Sequence, residues 1–145
     1  MAQTPMAQTQ KIAINPALAL VAAAAGWLVP GLGHALLRRW AKAIVYFCAV
    51  AILALVGLWM RGNVFSSNAA DAFDMLGFLA DIGNGIFYFL AGTINPAGAD
   101  VSKAYGDYGT RLFATAGVLN LLCVLEVLQI GLGSKEEGPA AVPGS

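Results

Sequence analysis

The chain has 145 residues, of which 59% are hydrophobic and only 11% are charged, whereas an ordinary soluble domain has about 25% charged residues. A soluble globular protein needs polar residues on the outer surface of its apolar helices, and this chain has too few of them. The composition therefore argues against a soluble globular protein. The formal net charge is zero, and a neutral chain offers no basic surface for binding nucleic acid. The sequence therefore predicts an integral membrane protein whose partner is the lipid bilayer.

Residues 1–15 are polar and lack periodicity, which predicts a disordered tail. Asn15 and Pro16 then favour a helix start, because Asn caps well and Pro fits the first helical position. The apolar run that follows resembles a secretory signal peptide, with small residues at 22–24 as a candidate cleavage site. A basic cluster soon after the run would hinder export, so we favour a retained helix.

The first apolar run ends in a turn that contains Pro30, Gly31 and Gly33. These residues predict a break or a sharp change of direction. Residues 17–29 provide only about 20 Å of helix, whereas a bilayer core is about 30 Å thick. Two alternatives remain: the helix kinks at Pro30 and continues to residue 37, or it enters the membrane part-way and turns back.

Three longer helices are predicted after this turn, at about residues 40–60, 72–94 and 110–131. Each is close to the length that spans a bilayer. The helix at 40–60 has an aromatic and a basic residue near each end, as is typical at membrane interfaces. The predicted fold is an all-α, polytopic membrane bundle of about four transmembrane helices, with helices at about 17–37, 40–60, 72–94 and 110–131. The domain covers residues 16–133, followed by a disordered tail at 134–145.

The loop charges predict an orientation in the membrane, because cytoplasmic loops carry more Lys and Arg. The first and third loops together carry five such residues, and the opposite side carries three. The first and third loops are therefore predicted to be cytoplasmic, with both termini outside. The five residues are Arg38, Arg39, Lys42, Lys103 and Arg111, and the other three are Lys11, Arg61 and Lys135. The basic residues of the first loop either anchor this topology or bind anionic lipid head groups.

Polar residues inside the predicted spans are candidate functional residues, because each is costly in a membrane unless it is paired. Helical rise places Asn84 and Asn120 at the same depth in antiparallel helices, so we expect a hydrogen bond between them. Asp81 and Glu126 are the acidic candidates. Burial disfavours the charged form of Asp81, which we expect to be protonated or hydrogen-bonded.

Asp81 shares a helical stripe with Gly77 and Gly85, four residues to either side. Small residues on one face allow another backbone to approach closely. One interpretation is that the polar residues hold helices together and that the stripe mediates self-association. The other is an ion or proton path through Asp81 and Glu126.

His34, the only histidine, lies beside the glycine-rich turn. It is either a ligand to a haem, pigment or shared metal, or a capping or interface residue, and we favour the second interpretation. The sequence contains no zinc-ligand spacing, nucleophile elbow or phosphate-binding loop. We therefore expect neither enzyme activity nor a bound cofactor or metal.

Two stretches carry a family resemblance. The first runs from Trp27 through Pro-Gly-Leu-Gly-His34 into the aromatic helix that contains Tyr46, and the second runs from Asp107 to Ile130. Together they resemble a group of uncharacterised bacterial membrane proteins of unknown function that have a Pro-Gly-Leu-Gly-His turn. A weaker similarity is to the two-transmembrane-helix domain family, in which a glycine-rich turn and a basic loop join paired spans. Two positions depart from the family pattern: residues 35–37 replace a Tyr-Leu-Gly type segment, and Glu126 replaces an Asp.

The resemblance implies a location in the bacterial inner membrane but supplies no activity. The leading hypothesis is a non-enzymatic scaffold or accessory subunit, acting as a homo-oligomer or within a larger membrane complex. The alternative, from a different functional class, is a small transport or proton-handling protein that uses Asp81 and Glu126.

Overall fold

The structure, a computed structural model, describes residues 15–68 and 70–133. All regular elements in this part of the chain are helices, which confirms the all-α prediction. They are α1 (Pro16–Leu28), α2 (Leu32–Leu36), α3 (Trp40–Trp59), α4 (Ala72–Ile82), α5 (Ile86–Ile94) and α6 (Ala104–Gly131). The predicted tails, apart from Asn15, lie outside the described residues.

Helices α3 and α6 form an antiparallel pair at the centre of the fold. Near the end of α3, a Cβ on Gly57 would lie 2.8 Å from the carbonyl oxygen of Gly109, at the start of α6. At the other end, Lys42 of α3 pairs with Glu126 of α6. Small residues on the buried face of α6 allow its neighbours to approach closely; they include Gly106, Gly109, Ala116, Gly117 and Gly131.

Helices α1 and α2 form a hairpin, which we call hairpin A, at the C-terminal end of α6. Ala19 contacts Gly131 at that end, and at the other end of α1 the Trp27 carbonyl accepts a hydrogen bond from Asn120, near the middle of α6. In α2, Gly33 packs against Val127, so the chain has returned toward the end from which it came. Of the two alternatives for the first segment, the described chain therefore turns back.

Hairpin A reverses direction at the predicted Pro-Gly turn. Gly31 has a φ of 81°, in the left-handed region that glycine adopts without steric cost. A Cβ on Gly33 would lie 2.6 Å from the Ala22 carbonyl oxygen. The two glycines therefore serve different purposes, since one reverses the backbone and the other allows α2 to pack directly on α1.

Helices α4 and α5 form a second hairpin, hairpin B, at the opposite end of α6. Gly77 of α4 packs against the Phe65 ring, shortly after the end of α3. The last turn of α4 reaches the middle of α6, where a Cβ on Gly117 would lie 1.8 Å from the Ala80 carbonyl oxygen. The segment after α5 then returns to the end of α3, where the guanidinium of Arg61 donates to the carbonyls of residues 97 and 98.

The prediction of one continuous helix over residues 72–94 is wrong, because residues 83–85 separate α4 from α5 with a bend of 100°. Gly85 has a φ of 57° and a ψ of −121°, which no continuing helix contains. The apolar composition of the segment predicted a single span, whereas the backbone conformation of Gly85 interrupts the helix.

Two described helices, α3 with 20 residues and α6 with 28, are long and apolar enough to cross a membrane. The bent pair α4 and α5 adds a third only if the two are counted as one span, and α1 has 13 residues. The prediction of four transmembrane helices is therefore not confirmed. Helix α6 also begins at Ala104 rather than near residue 110, which shortens the predicted third loop.

The first and third loops lie at opposite ends of the α3–α6 pair. Lys42, after the first loop, meets Glu126 in the C-terminal half of α6. Asp100, in the third loop, donates its backbone N–H to the Arg61 carbonyl at the end of α3. The third loop is there because hairpin B returns to the end of the α3–α6 pair that it leaves.

Candidate functional site

The tips of hairpins A and B meet against the middle of α6, at a site that we call the hairpin junction (Trp27, Gly83, Asn84, Gly85 and Asn120). A Cβ on Gly85 would lie 2.0 Å from the Trp27 carbonyl oxygen, so only glycine fits at the point of contact. The indole N–H of Trp27 donates to the carbonyl of Ile82 at 3.1 Å. The two tips therefore contact each other directly through backbone and indole groups.

Asn120 joins both tips to α6. Its side chain is fully buried, and its amide nitrogen donates to the carbonyls of Trp27 at 3.0 Å and of Gly83 at 2.8 Å. Carbonyl groups at a helix end have no partner within the helix, and in an apolar interior such groups are costly unless they are paired. One amide on α6 thus satisfies a carbonyl at the end of each broken segment.

Asn84 and Asn120 do not bond to each other, contrary to the prediction. The Asn84 amide instead donates to the Phe113 carbonyl at 2.8 Å. The predicted equal depth assumed a straight helix, whereas the break at residues 83–85 provides the Gly83 carbonyl, which accepts from the Asn120 amide instead. Both asparagines therefore bind backbone.

The predicted stripe of Gly77, Asp81 and Gly85 does not form an open surface for self-association. Asp81 is fully buried, and its Oδ2 accepts the Phe65 backbone N–H at 2.7 Å. Gly77 is covered by the Phe65 ring, and Gly85 faces Trp27. All three positions are used inside the fold, because the break directs Gly85 away from the face that carries the other two.

Three buried side-chain oxygens at or beside the junction accept no hydrogen bond from the described part of the chain. They are Oδ1 of Asp81, Asn84 and Asn120. Each of these side chains uses its other polar atom in a hydrogen bond. Each of these side chains is thus hydrogen-bonded through one polar atom, whereas its Oδ1 is an unpaired acceptor.

A second group of predicted residues meets where α2, α3 and α6 converge; we call it the Glu126 cluster (His34, Lys42, Tyr46 and Glu126). The carboxylate accepts from the Lys42 ammonium, accepts from the Tyr46 hydroxyl at 2.8 Å and lies 3.3 Å from Nε2 of His34. The His34 ring is 1% exposed and packs edge-on against Tyr46. His34 therefore lies inside the interface that α2, α3 and α6 form.

Replacing Glu126 with Gln is expected to lower the free energy of unfolding by about 1–2 kcal/mol, because hydrogen bonds to a charged group are stronger than neutral ones. The gain from the charge is reduced by solvent, since Lys42 and Glu126 are 44% and 30% exposed. Thermal unfolding in mild detergent can be followed through the buried thiol of Cys123 in a Cys48→Ser background, since Cys48 is exposed.

The matched control for this prediction is Lys42→Met, alone and combined with Glu126→Gln. If the two residues act as a pair, the double variant loses less stability than the sum of the single variants. An unchanged melting temperature in Glu126→Gln would show that the carboxylate charge contributes nothing to the cluster.

At the opposite end of the bundle, a carboxylate holds the third loop to the end of α3. The Ser102 hydroxyl donates to Asp100, and the cations of Lys103 and Arg61 lie 3.7 Å and 3.6 Å away. The hydroxyl, and then the two cations, hold the pKa of Asp100 below its ordinary value. This group lies outside the long apolar helices.

Because the folded pKa of Asp100 is lower than the unfolded one, its ionised form stabilises the fold above about pH 4, and this contribution is lost as pH falls through the folded pKa. We therefore expect Asp100→Asn to melt at a lower temperature than the wild type at pH 7, and the difference to shrink below about pH 4. Melting curves from pH 7 to pH 3 test this. A difference that stays constant across the range would contradict the prediction.

The predicted site residues thus lie at the hairpin junction, in the Glu126 cluster and in the turn of hairpin A. Asn84, Gly85 and Asn120 belong to the hairpin junction, with Asp81 beside it, and His34, Lys42 and Glu126 form the second cluster. Pro30, Gly31 and Gly33 make the turn of hairpin A, and Arg38 and Arg39 follow α2. Among the described residues, no group of three or more His, Cys, Asp or Glu side chains is placed to hold a metal ion.

Sequence reasoning missed Trp27 and Tyr46 as members of these sites. Trp27 contributes both its carbonyl and its indole N–H to the junction, and Tyr46 donates to Glu126. A signal for Trp27 exists in the sequence, since it lies in the last turn of a short apolar helix whose last carbonyls need donors. Tyr46 lies one turn after Lys42 on α3, so helical spacing alone places the two on one face.

Residues 21–138 match a family described as a family of unknown function (DUF6677). The match covers most of the chain, so the protein belongs to this family, in agreement with the resemblance seen in the sequence. No curated protein and no solved structure matches the chain.

Proposed function

We propose that this member of the DUF6677 family is an integral protein of the bacterial inner membrane, with α3 and α6 as its transmembrane helices and hairpins A and B as re-entrant segments from opposite sides. This replaces the four-span arrangement. Non-helical backbone at membrane depth is tolerated where protein surrounds it. The tips of both hairpins meet that requirement, since Pro30 and Gly31 of hairpin A and residues 83–85 of hairpin B are buried.

In this arrangement the first loop and both termini share one side, and the second and third loops share the other. Lys and Arg then number five on the first side and three on the second. The five are Lys11, Arg38, Arg39, Lys42 and Lys135, and the three are Arg61, Lys103 and Arg111. The excess places the first loop and both termini in the cytoplasm. The first loop thus keeps its predicted side, and the termini and third loop change theirs.

The protein acts in this proposal as a non-enzymatic scaffold or accessory subunit of a membrane complex. The observation that carries the proposal is the double hydrogen bond of Asn120. This buried amide holds the tips of both hairpins against α6, which makes the interior of the fold rigid. The outer surface, which is rich in exposed apolar side chains such as Trp59 and Phe73, is then available to lipid and to partner helices.

Photocrosslinking in native membranes tests the scaffold role. A photoreactive amino acid is placed at Phe73 on α4, at Ile52 on α3 or at Leu122 on α6, all of which are exposed. The buried position Val50 provides the control, since its crosslinks stay within the chain. One recurrent product of defined mass from one face supports a subunit role. Crosslinks to lipid alone from every face, with a monomer of 15.0 kDa in mild detergent, contradict it.

A second candidate function, transport of an ion or proton, is favoured by the unpaired oxygens of Asp81, Asn84 and Asn120. Broken helices that meet near the bilayer midplane hold ions in many transporters. Proteoliposome flux tests this candidate with Asp81→Asn and Glu126→Gln. Flux that depends on Asp81 supports transport, and flux that is absent, or unchanged in both variants, counts against it.

A further inference from the structure

Helices α2 and α3 end in the same hydrogen-bonded turn, and in both an arginine takes the position that usually belongs to glycine. In the first turn, Arg38 donates its N–H to the Ala35 carbonyl and Arg39 donates to the His34 carbonyl. The φ values of Arg38 and Arg61 are 60° and 56°. A side chain in this left-handed region strains the backbone, so each arginine is kept at a cost in stability.

The side chain of Arg61 compensates for that cost. Its guanidinium donates to the carbonyls of Ala97 and Gly98 and lies 3.6 Å from the Asp100 carboxylate. Arg38 differs, because its side chain is exposed and makes no hydrogen bond or ion pair with the described part of the chain. Arg38 therefore occupies the same strained position without a compensating side-chain contact among these residues.

An apolar groove of about 220 Å³ lies between hairpin A and the start of α3, and it is lined by Ala35 and Trp40, which precede and follow Arg38 in the chain. Ala35, whose carbonyl accepts the Arg38 N–H, also lines the groove. Trp40 stands at the groove and is 64% exposed, as is typical of tryptophan at the level of lipid head groups. The other groove residues include Val29, Pro30, Leu32, Ile44 and Phe47.

We propose that this groove and Arg38 bind an anionic phospholipid, with part of an acyl chain in the groove and the phosphate on the guanidinium. Arginine suits this partner because its planar group donates two parallel hydrogen bonds to a phosphate. Lys42 is already neutralised by Glu126, which leaves Arg38 to recognise the head group. The site does not depend on the scaffold role, and a cytoplasmic position for the first loop places it in the leaflet that carries anionic lipid.

Native mass spectrometry of the full chain in mild detergent tests this proposal by counting phosphatidylglycerol and phosphatidylcholine molecules retained per protein. The wild type is expected to retain one phosphatidylglycerol in preference to phosphatidylcholine. Arg38→Gln is expected to lower phosphatidylglycerol retention about fivefold, and Arg38→Lys to lower it less. Arg111→Gln removes an exposed arginine at the other end of the bundle and is expected to change nothing.

Two further variants separate the sources of an effect. Ala35→Phe should fill the groove and lower lipid retention while Arg38 remains. The double variant Glu136→Gln/Glu137→Gln tests the acidic C-terminal segment as the partner of Arg38. Inorganic phosphate at millimolar concentration is expected not to displace the lipid.

Unchanged phosphatidylglycerol retention in Arg38→Gln would overturn the proposal, as would an equal loss in Arg111→Gln. A loss of thermal stability shared by Arg38→Gln and the Glu136/Glu137 double variant, with lipid retention intact, would assign Arg38 to the chain's own carboxylates. Arg38→Gly guards against unfolding as the explanation, because glycine relieves the backbone strain. It should fold at least as stably as the wild type and still lose the lipid.

Discussion

Replacing Gly85 with alanine is expected to prevent the protein from folding, with a loss of more than about 4 kcal/mol in the free energy of unfolding. Two costs combine at this position. The backbone angles of Gly85 lie in a region that a residue with a Cβ avoids. The new Cβ would also lie 2.0 Å from the Trp27 carbonyl oxygen, so hairpins A and B could no longer touch.

Two other glycines of the same region separate these costs. Gly98 has a φ of 74° with open space around it, so alanine there is expected to lose only about 1 kcal/mol from backbone strain. Gly92, inside α5, has neither a positive φ nor a neighbour within 4 Å. Gly92→Ala is therefore expected to gain about 0.5–1 kcal/mol, as a glycine-to-alanine change in a helix usually does.

The measurement is the yield of monodisperse protein after extraction in mild detergent, followed by thermal unfolding of the variants that survive. The expected order of stability is Gly92→Ala, then wild type, Gly98→Ala and Gly85→Ala. A Gly85→Ala protein that melts within a few degrees of the wild type would show that the two hairpin tips do not pack against each other in the membrane.

The sequence predicted the helices whose ends are marked by strong local signals. Helix α3 follows the prediction closely, because an aromatic and a basic residue mark each of its ends. The turn of hairpin A was also predicted, since proline and glycine restrict the backbone whatever surrounds them.

The opposing hairpins could not be predicted from composition. A broken segment and a continuous span have the same apolar residues, and only packing at Gly85 and Gly117 distinguishes them. Depth arguments for Asn84 and Asn120 then failed, because they assumed a straight helix. The predicted loop sides rest on the same assumption, since a segment 72–94 that turns back places the third loop on the other side of the membrane.

The sequence predicted several residues of the candidate site but did not predict which groups those residues contact. Asn120 and Glu126 were selected because polar side chains in apolar helices need partners. Their partners come from distant segments, Trp27 for the first and His34 for the second. A single sequence shows that a polar side chain in an apolar helix needs a hydrogen-bond partner. It does not show which distant group provides that partner.

The second large effect is expected for Asn120→Leu, which should lower the free energy of unfolding by about 2–4 kcal/mol. Leucine is close to asparagine in size but cannot donate, so the buried carbonyls of Trp27 and Gly83 both lose the amide. Asn84→Leu deprives only the Phe113 carbonyl of its side-chain donor and is expected to cost about half as much. Leu122→Ala, at an exposed position of α6, serves as the control and should change stability little.

The Asn120→Asp variant sharpens the test, because it keeps the shape of the side chain and replaces the donor with a second acceptor. An ionised carboxylate would then face two carbonyl oxygens in an apolar interior, so we expect a loss at least as large as that of Asn120→Leu. Reactivity of the buried Cys123 thiol, in a Cys48→Ser background, measures unfolding in the four variants and in the wild type. Equal losses in Asn120→Leu and Asn84→Leu would mean that bridging two carbonyls gives no advantage over binding one.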